Sequence, residues 1–194
     1  MRNHTNNIMF VSTPKKYIYY KRNSQYYRVP TFGKIYKIID FGRSIYSFKG
    51  KQFCSDSYAS WGDAATLYNF GPFHDEKKPE VKPNKSFDLC RLGCSMFEYL
   101  NIGGLEPPKE TDTSARAMML RWVLDDNGKN MLFKKNGIER YPEFKLYKMI
   151  ARKVHNHSPI EAIEDKSFSD FKTIRKNIPK KPYLINLDNI PVLV

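Results

Sequence analysis

The sequence predicts an α+β fold that is mostly α-helical, with a small antiparallel β-hairpin region at the N-terminus. Short apolar runs bounded by Pro and Gly occupy the first 40 residues, and such runs are typical of strands. Three later segments, between residues 86 and 154, repeat apolar side chains at helical spacing. The chain has 194 residues, of which 41% are hydrophobic, so it is long enough to bury the core of one domain.

The N-terminal region is predicted to consist of strands separated by breaks. Residues 8–11 form a short apolar strand that ends before a Pro-containing break, because Pro cannot continue a central strand. Residues 15–29 are predicted to form a basic, aromatic hairpin with its turn at Asn23 and Ser24. After a second break, residues 34–39 form another strand.

A long segment without sustained periodicity separates these strands from the first helix. Residues 42–85 are rich in Gly, Ser, Pro and Asp and are predicted to form a long ordered loop, with one short helix over residues 61–68. The first long helix is predicted from residue 86 to about residue 100. Ser86 is a suitable N-cap, and a Gly pair follows the expected end.

Two more helices and a tail complete the predicted domain. Helices are predicted over residues 114–124 and 141–154, with a tight turn at residues 125–128 between them. The remaining sequence is a short polar helix followed by an extended segment punctuated by Pro. We therefore predict one domain over residues 1–156 and a tail, residues 157–194, that packs on the domain or extends from it.

The positive charge of the chain is concentrated near the N-terminus. The formal net charge is +13, and residues 15–51 contain ten Lys or Arg and one acid, Asp40. Six tyrosines are interleaved with the cations of residues 15–37: Tyr17, Tyr19, Tyr20, Tyr26, Tyr27 and Tyr36. One interpretation is a surface for nucleic acid or another acidic partner. The other, which the pattern favours because no known nucleic-acid-binding motif is present, is a hairpin with half-buried tyrosines and solvated lysines.

Composition also bears on the compartment of the protein. No apolar run approaches the roughly eighteen residues that span a bilayer, and the N-terminal residues are polar, unlike a signal peptide. The three cysteines give no disulfide framework. We therefore expect an intracellular protein without a membrane partner.

Two motifs carry chemical information. Asp40–Phe41–Gly42 closes a predicted strand, and His4 and Asn7 precede another strand. Asp88 and the pair Leu92–Gly93 lie on the first predicted helix. In this order the motifs resemble the C-terminal lobe of a eukaryotic-type protein kinase. His4 and the long insert before Asp40 resemble features of haspin-like atypical kinases. The stretch as a whole also resembles the kinase-like proteins of large DNA viruses. A viral origin would place the protein in the host cytoplasm or the virion.

The resemblance implies a site for Mg²⁺ and ATP. Asn7 and Asp40 are its implied metal ligands, and Asn7, Asp40, Phe41 and Gly42 its implied cofactor-binding residues. His4 and Asn7 are the implied remnant of the catalytic loop, and Asp88, near the start of the first helix, is implied to steady that loop. Asp and Asn oxygens alone make a carboxylate-poor site, so weak binding by this chain alone is expected.

Several parts of the kinase pattern are missing. Arg2 stands where the catalytic Asp is expected, and an Arg cannot accept a hydrogen bond from a substrate hydroxyl. The Gly-rich loop and the ATP-binding Lys of the N-lobe are absent as well. The resemblance therefore implies a Ser/Thr-type phosphotransferase that is truncated and inactive alone, with a separate N-lobe polypeptide or a protein substrate as partner.

The absence of an N-lobe predicts an exposed apolar patch near Ile8, Ile38 and Phe41.

An alternative function is a non-catalytic pseudokinase or interaction module. Such a module would use the basic, Tyr-rich hairpin to bind an acidic partner or nucleic acid.

Other polar groups have simpler explanations than a metal site. Cys90 and Cys94 are four residues apart on the first predicted helix, but no second pair at matching spacing completes a zinc site, so both are predicted to be buried small side chains. His155 and His157 are expected to complement the end of the third helix. Residues 125–128 lack the spaced ligands of a calcium loop and are predicted to form a turn.

Overall fold

The computed structural model describes residues 7–99 and 107–189. Its α-helices are α1 (Ser86–Tyr99), α2 (Ala115–Trp122), α3 (Phe144–Lys153) and α4 (Pro159–Ala162). Its strands are β1 (Ile8–Ser12), β2 (Tyr17–Arg22), β3 (Gln25–Pro30), β4 (Lys34–Ile38), β5 (Tyr46–Phe48), β6 (Lys51–Phe53), β7 (Lys172–Thr173) and β8 (Leu184–Asn186). Short 3₁₀ helices cover Asp56–Tyr58, Gly71–Phe73, Lys166–Phe171, Arg175–Asn177 and Leu187–Asn189.

The predicted class of a mostly helical kinase C-lobe is wrong. The chain is α+β, but only about 30% of it is helical, and its strands form mixed sheets. The three long helices lie where the sequence predicts them, within a few residues. The difference arises between and after them, because residues 124–143 form turns and isolated bridges and the tail forms strands.

The first half of the chain contains two separate β units. Strands β1 and β4 pair antiparallel, from Ile8 opposite Ile38 to Ser12 opposite Lys34, and we call this pair the ribbon. Strands β2 and β3 form the predicted hairpin, and its turn lies at Asn23 and Ser24, where φ is 46° and 65°. Positive φ at both positions gives a turn whose twist suits two paired strands.

The tail completes the sheet of the hairpin. Strand β8 pairs parallel with β2, and β7 pairs antiparallel with β3, so the strand order is β7-β3-β2-β8. The carboxylate of Asp188 accepts a hydrogen bond of 2.8 Å from the N–H of Asn23 and lies 3.0 Å from the ammonium of Lys21. The Tyr27 hydroxyl donates to Glu164 at 3.1 Å. The C-terminal tail is therefore attached to the N-terminal hairpin by strand pairing and side-chain contacts.

The largest core lies between α1, α2 and α3. It includes Cys90 and Cys94, both fully buried and unpaired, which confirms the prediction for these two residues. Helix α1 approaches α2 closely at Gly93, where a Cβ atom would lie 2.9 Å from the Cβ of Trp122. Ser114 caps α2 by accepting a hydrogen bond from the N–H of Ala117.

The long loop forms a second core instead of the predicted helix at residues 61–68, and that prediction is wrong. Gly62 lies so close to the preceding turn that a Cβ atom would be 2.3 Å from the carbonyl oxygen of Ser57. Buried Asn69 donates to the carbonyl oxygens of Asp75, Lys78 and Pro79 and accepts from the N–H of Asp75. A side-chain amide that satisfies the backbone of several turns replaces the hydrogen bonds of a helix.

The remaining sequence predictions concern the turn, the histidines and the membrane. Residues 125–128 form the predicted turn, in which Asp125 accepts hydrogen bonds from following backbone N–H groups. His155 contacts Asp126, and His157 contacts the carbonyl oxygen of Leu124. Within the part of the chain that the structure describes, no helix is long and apolar enough to cross a membrane.

Candidate functional site

Strand pairing in the ribbon brings two implied metal ligands to the same end. The register sets Ile8 opposite Ile38. One residue further along, the N–H of Ile39 donates a 2.8 Å hydrogen bond to the carbonyl oxygen of Asn7. Asn7 is therefore opposite Ile39, and Asp40 follows at the same end of the ribbon. The other implied residues of the catalytic loop, His4 and Arg2, lie outside the described residues.

Asp40, an implied metal ligand, follows β4 at the exposed end of the ribbon. Its side chain is exposed, and its φ is 60°, in the left-handed region that Asp tolerates better than most residues. Oδ1 accepts a hydrogen bond of 3.3 Å from the N–H of Gly42. Phe41 is 67% exposed. The described residues place no second layer over this end of the ribbon.

The donors at this end fit a hard divalent cation only weakly. Asp40 offers one carboxylate and Asn7 one side-chain carbonyl oxygen, and oxygen donors are the type that Mg²⁺ prefers. Among the described residues, no group of three or more His, Cys, Asp or Glu could hold a metal ion. A cation held by these two residues would therefore keep most of its water ligands.

The ribbon exposes a large apolar surface. Ile38 and Phe41, predicted to belong to such a patch, are 69% and 67% exposed, whereas Ile8 is half-buried. Met9 and Tyr36 on the same ribbon are also exposed, by 57% and 65%. Isolated two-stranded ribbons are marginally stable in water, so this surface is a candidate for contact with another polypeptide.

Asp88, which the resemblance implies to steady the catalytic loop, lies in a different environment. It begins α1 beside the buried rings of Tyr58 and Tyr68, and burial raises the pKa of its carboxyl. Burial also raises the pKa of Tyr58 to about 12. Asp88 forms no hydrogen bond with a described residue of the ribbon, so its implied role stays a prediction.

The basic hairpin and the ribbon place cations over aromatic rings. The ammonium of Lys34 lies 4.3 Å from the ring centroid of Phe10, and the guanidinium of Arg28 lies 5.0 Å from that of Tyr17. The ammonium of Lys15 lies 5.1 Å from the ring of Tyr183. Sequence reasoning missed Tyr183, because only the pairing of β8 with β2 brings the tail to this surface. Cations over exposed rings suit partners that carry both negative charge and flat apolar groups.

Comparison of the chain with protein-family models, with curated proteins and with solved structures gives no match in any of the three. Functional inference for this protein therefore depends on the geometry of its own residues. Two parts of the molecule carry it: the end of the ribbon at Asn7 and Asp40, and the basic aromatic surface around the hairpin.

Proposed function

We propose that this chain contributes the metal-holding side of an ATP- and Mg²⁺-dependent phosphotransfer site of the protein-kinase type. The supporting observation is the hydrogen bond of 2.8 Å from the N–H of Ile39 to the carbonyl oxygen of Asn7. It sets Asn7 opposite Ile39, so Asn7 and Asp40 lie at the same end of the ribbon although 32 residues lie between them in the sequence. In phosphotransfer, such a pair positions a cation that neutralises phosphate charge.

The chemistry of these two residues limits what the chain does alone. Asp40 has one carboxylate oxygen engaged by Gly42 and a second for a cation, and Asn7 supplies a neutral oxygen. We propose that a second polypeptide, equivalent to an N-lobe, covers the exposed apolar ribbon and supplies the other wall of the nucleotide site, with a protein as substrate.

A paramagnetic ion tests the metal site directly. Mn²⁺ substitutes for Mg²⁺, and titration should broaden the NMR signals of the Asn7 and Asp40 amides before others. Asp40→Asn should remove this selective broadening, and excess Mg²⁺ should reverse it in the unaltered protein. Asp170→Asn, which changes another exposed carboxylate, is the matched control and should leave the broadening unchanged. Broadening that ignores Asp40→Asn would contradict the proposal.

A second function, binding of an acidic partner, is supported by the unpaired cations of residues 15–51. Of the ten Lys and Arg in this stretch, only Lys21 and Arg43 form an ion pair with a described residue, which leaves eight. A surface with this excess of cations attracts polyanions. Binding to polyglutamate or an oligonucleotide should weaken steeply between about 50 and 200 mM salt. Affinity that does not depend on salt would contradict this function.

A further inference from the structure

A groove of about 260 Å³ lies where the ribbon joins the hairpin. Its walls are the two chain connections, from β1 to β2 and from β3 to β4. Lys15, Lys16, Tyr17 and Phe32 line it, and none of its lining residues is acidic. The groove therefore combines two cations with two aromatic rings.

The backbone of the groove is held by hydrogen bonds. The N–H of Thr13 donates to the carbonyl oxygen of Gly33 at 2.9 Å, and the N–H of Thr31 donates to that of Lys16 at 3.0 Å. The hydroxyl of Thr31, which is 4% exposed, donates to the carbonyl oxygen of Lys15. The two connections thus cross-link each other, so the groove is preorganised for a ligand.

Phe32 is the least expected residue of this groove. Its side chain is 87% exposed, and its φ is 49°, in the left-handed region that is unfavourable for a bulky side chain. It precedes Gly33, with φ 79°, in a turn closed by a hydrogen bond from the N–H of Lys34 to the carbonyl oxygen of Thr31. A residue that is both strained and apolar in water lowers stability, and such outliers concentrate at binding sites.

Charge at the groove is not balanced by the chain itself. Lys15 and Lys16 form no ion pair with a residue of the described ranges, and Lys15 lies instead over the ring of Tyr183. Arg28 lies over the ring of Tyr17. Lys15 and Lys16 are therefore available to phosphate groups. The rings of Tyr17 and Tyr183 each lie next to a positive charge.

We propose that this groove binds single-stranded nucleic acid, with bases stacked on Phe32 and Tyr17 and phosphates beside Lys15 and Lys16. This inference rests on the second proposed function, binding of an acidic partner, and is independent of the phosphotransfer site. An acidic peptide would use the lysines but has no need of an exposed flat ring. Every base has such a ring, so stacking is tolerant of sequence.

Fluorescence anisotropy of a labelled twelve-nucleotide oligothymidylate provides the test, with polyglutamate as the competing polyanion. Phe32→Ala should weaken oligonucleotide binding about tenfold, the usual effect of losing one stacking platform. It should leave polyglutamate binding unchanged. Lys15→Ala/Lys16→Ala should weaken the binding of both ligands. For the oligonucleotide, the decrease of log affinity with log salt should become less steep by about 1.4, since each phosphate contact of a single strand contributes about 0.7.

The matched control is Lys134→Ala/Lys135→Ala, which removes two exposed lysines away from the groove. It should change oligonucleotide affinity less than twofold. The nucleic-acid inference would be overturned if Phe32→Ala left oligonucleotide affinity unchanged, or if the protein bound polyglutamate as tightly as the oligonucleotide. Either result would leave the acidic-partner function intact. Binding of neither polyanion would overturn both. Circular dichroism of each variant verifies that the fold is retained.

Discussion

The ribbon and the helical core use similar apolar residues with opposite results. Ile150 in α3 is fully buried between α1 and α2, whereas Ile38 in β4 is 69% exposed. The core encloses its own hydrophobic surface. The ribbon displays its surface instead, beside a concentration of positive charge. The difference shows that similar apolar side chains are buried by helix packing in one region and left in solvent in the other.

The largest expected effect separates these two regions directly. Ile150→Ala should lower the free energy of unfolding by about 2–5 kcal/mol, because it leaves a cavity in the core. Ile38→Ala makes the same chemical change on an exposed strand and should cost about 0.5 kcal/mol or less. Urea denaturation of both variants measures the difference. If both variants lose a similar free energy of unfolding at every protein concentration, Ile38 is packed against other residues of the same chain.

A second prediction concerns the core formed by the long loop. Gly62→Ala should destabilise the protein by about 3 kcal/mol, because the new Cβ atom would meet the backbone of Ser57. Gly128→Ala is the control, since Gly128 has open space around it and a φ of 71°. It should cost about 1 kcal/mol, from backbone strain alone. Equal costs in thermal unfolding would show that the loop moves aside for the methyl group.

A third, more local effect is expected where the tail meets the hairpin. Hydrogen bonds from the N–H of Asn23 and from Lys21 lower the pKa of Asp188. A carboxyl whose pKa is lower in the folded than in the unfolded protein stabilises the folded state at pH values above its unfolded pKa of about 3.9. This stabilisation is lost as the pH falls through the folded pKa. Acid should therefore release β8 from β2.

Hydrogen exchange of the β8 amides measures this release. Protection at residues 184–186 should decrease below about pH 4, around the unfolded carboxyl value, while protection of α1 persists. Asp188→Asn should show the reduced protection already at neutral pH, and Asp170→Asn should not. Loss of protection in β8 and α1 together would contradict a local effect.

The smallest predicted effect is a gain in stability at the groove. Phe32→Gly removes positive-φ strain of about 1–2 kcal/mol but adds about 0.5–1 kcal/mol of unfolded-chain entropy. The net result should be stabilisation by about 0.5 kcal/mol, measurable as a small rise in the thermal midpoint. A destabilised Phe32→Gly variant would instead assign the ring a packing role and place the groove with the self-contained region of the molecule.

Local sequence signals predicted part of this architecture well. Ser114 indicated the start of α2, and the positive-φ turn at Asn23 and Ser24 followed from their position between two β-type runs. The pairing of β1 with β4 was not derivable from periodicity alone. That pairing sets Asn7 opposite Ile39, and the site that the resemblance implies at Asn7 and Asp40 stays a prediction.

Other features depended on contacts that no local pattern reveals. The helix predicted over residues 61–68 is absent because Gly62 and Asn69 make turn contacts instead. The exposure of Asp40 likewise depends on what packs over a strand end, not on the strand itself.

By itself, the sequence determined the three long helices and the basic hairpin, because these follow from short-range periodicity, capping and turn chemistry. Only the tertiary structure decided that the tail would complete the hairpin sheet, that the ribbon would stay exposed and that Phe32 would line a basic groove. These features join residues far apart in the chain. Their energies come from surfaces that exist only after folding, so no local pattern encodes them.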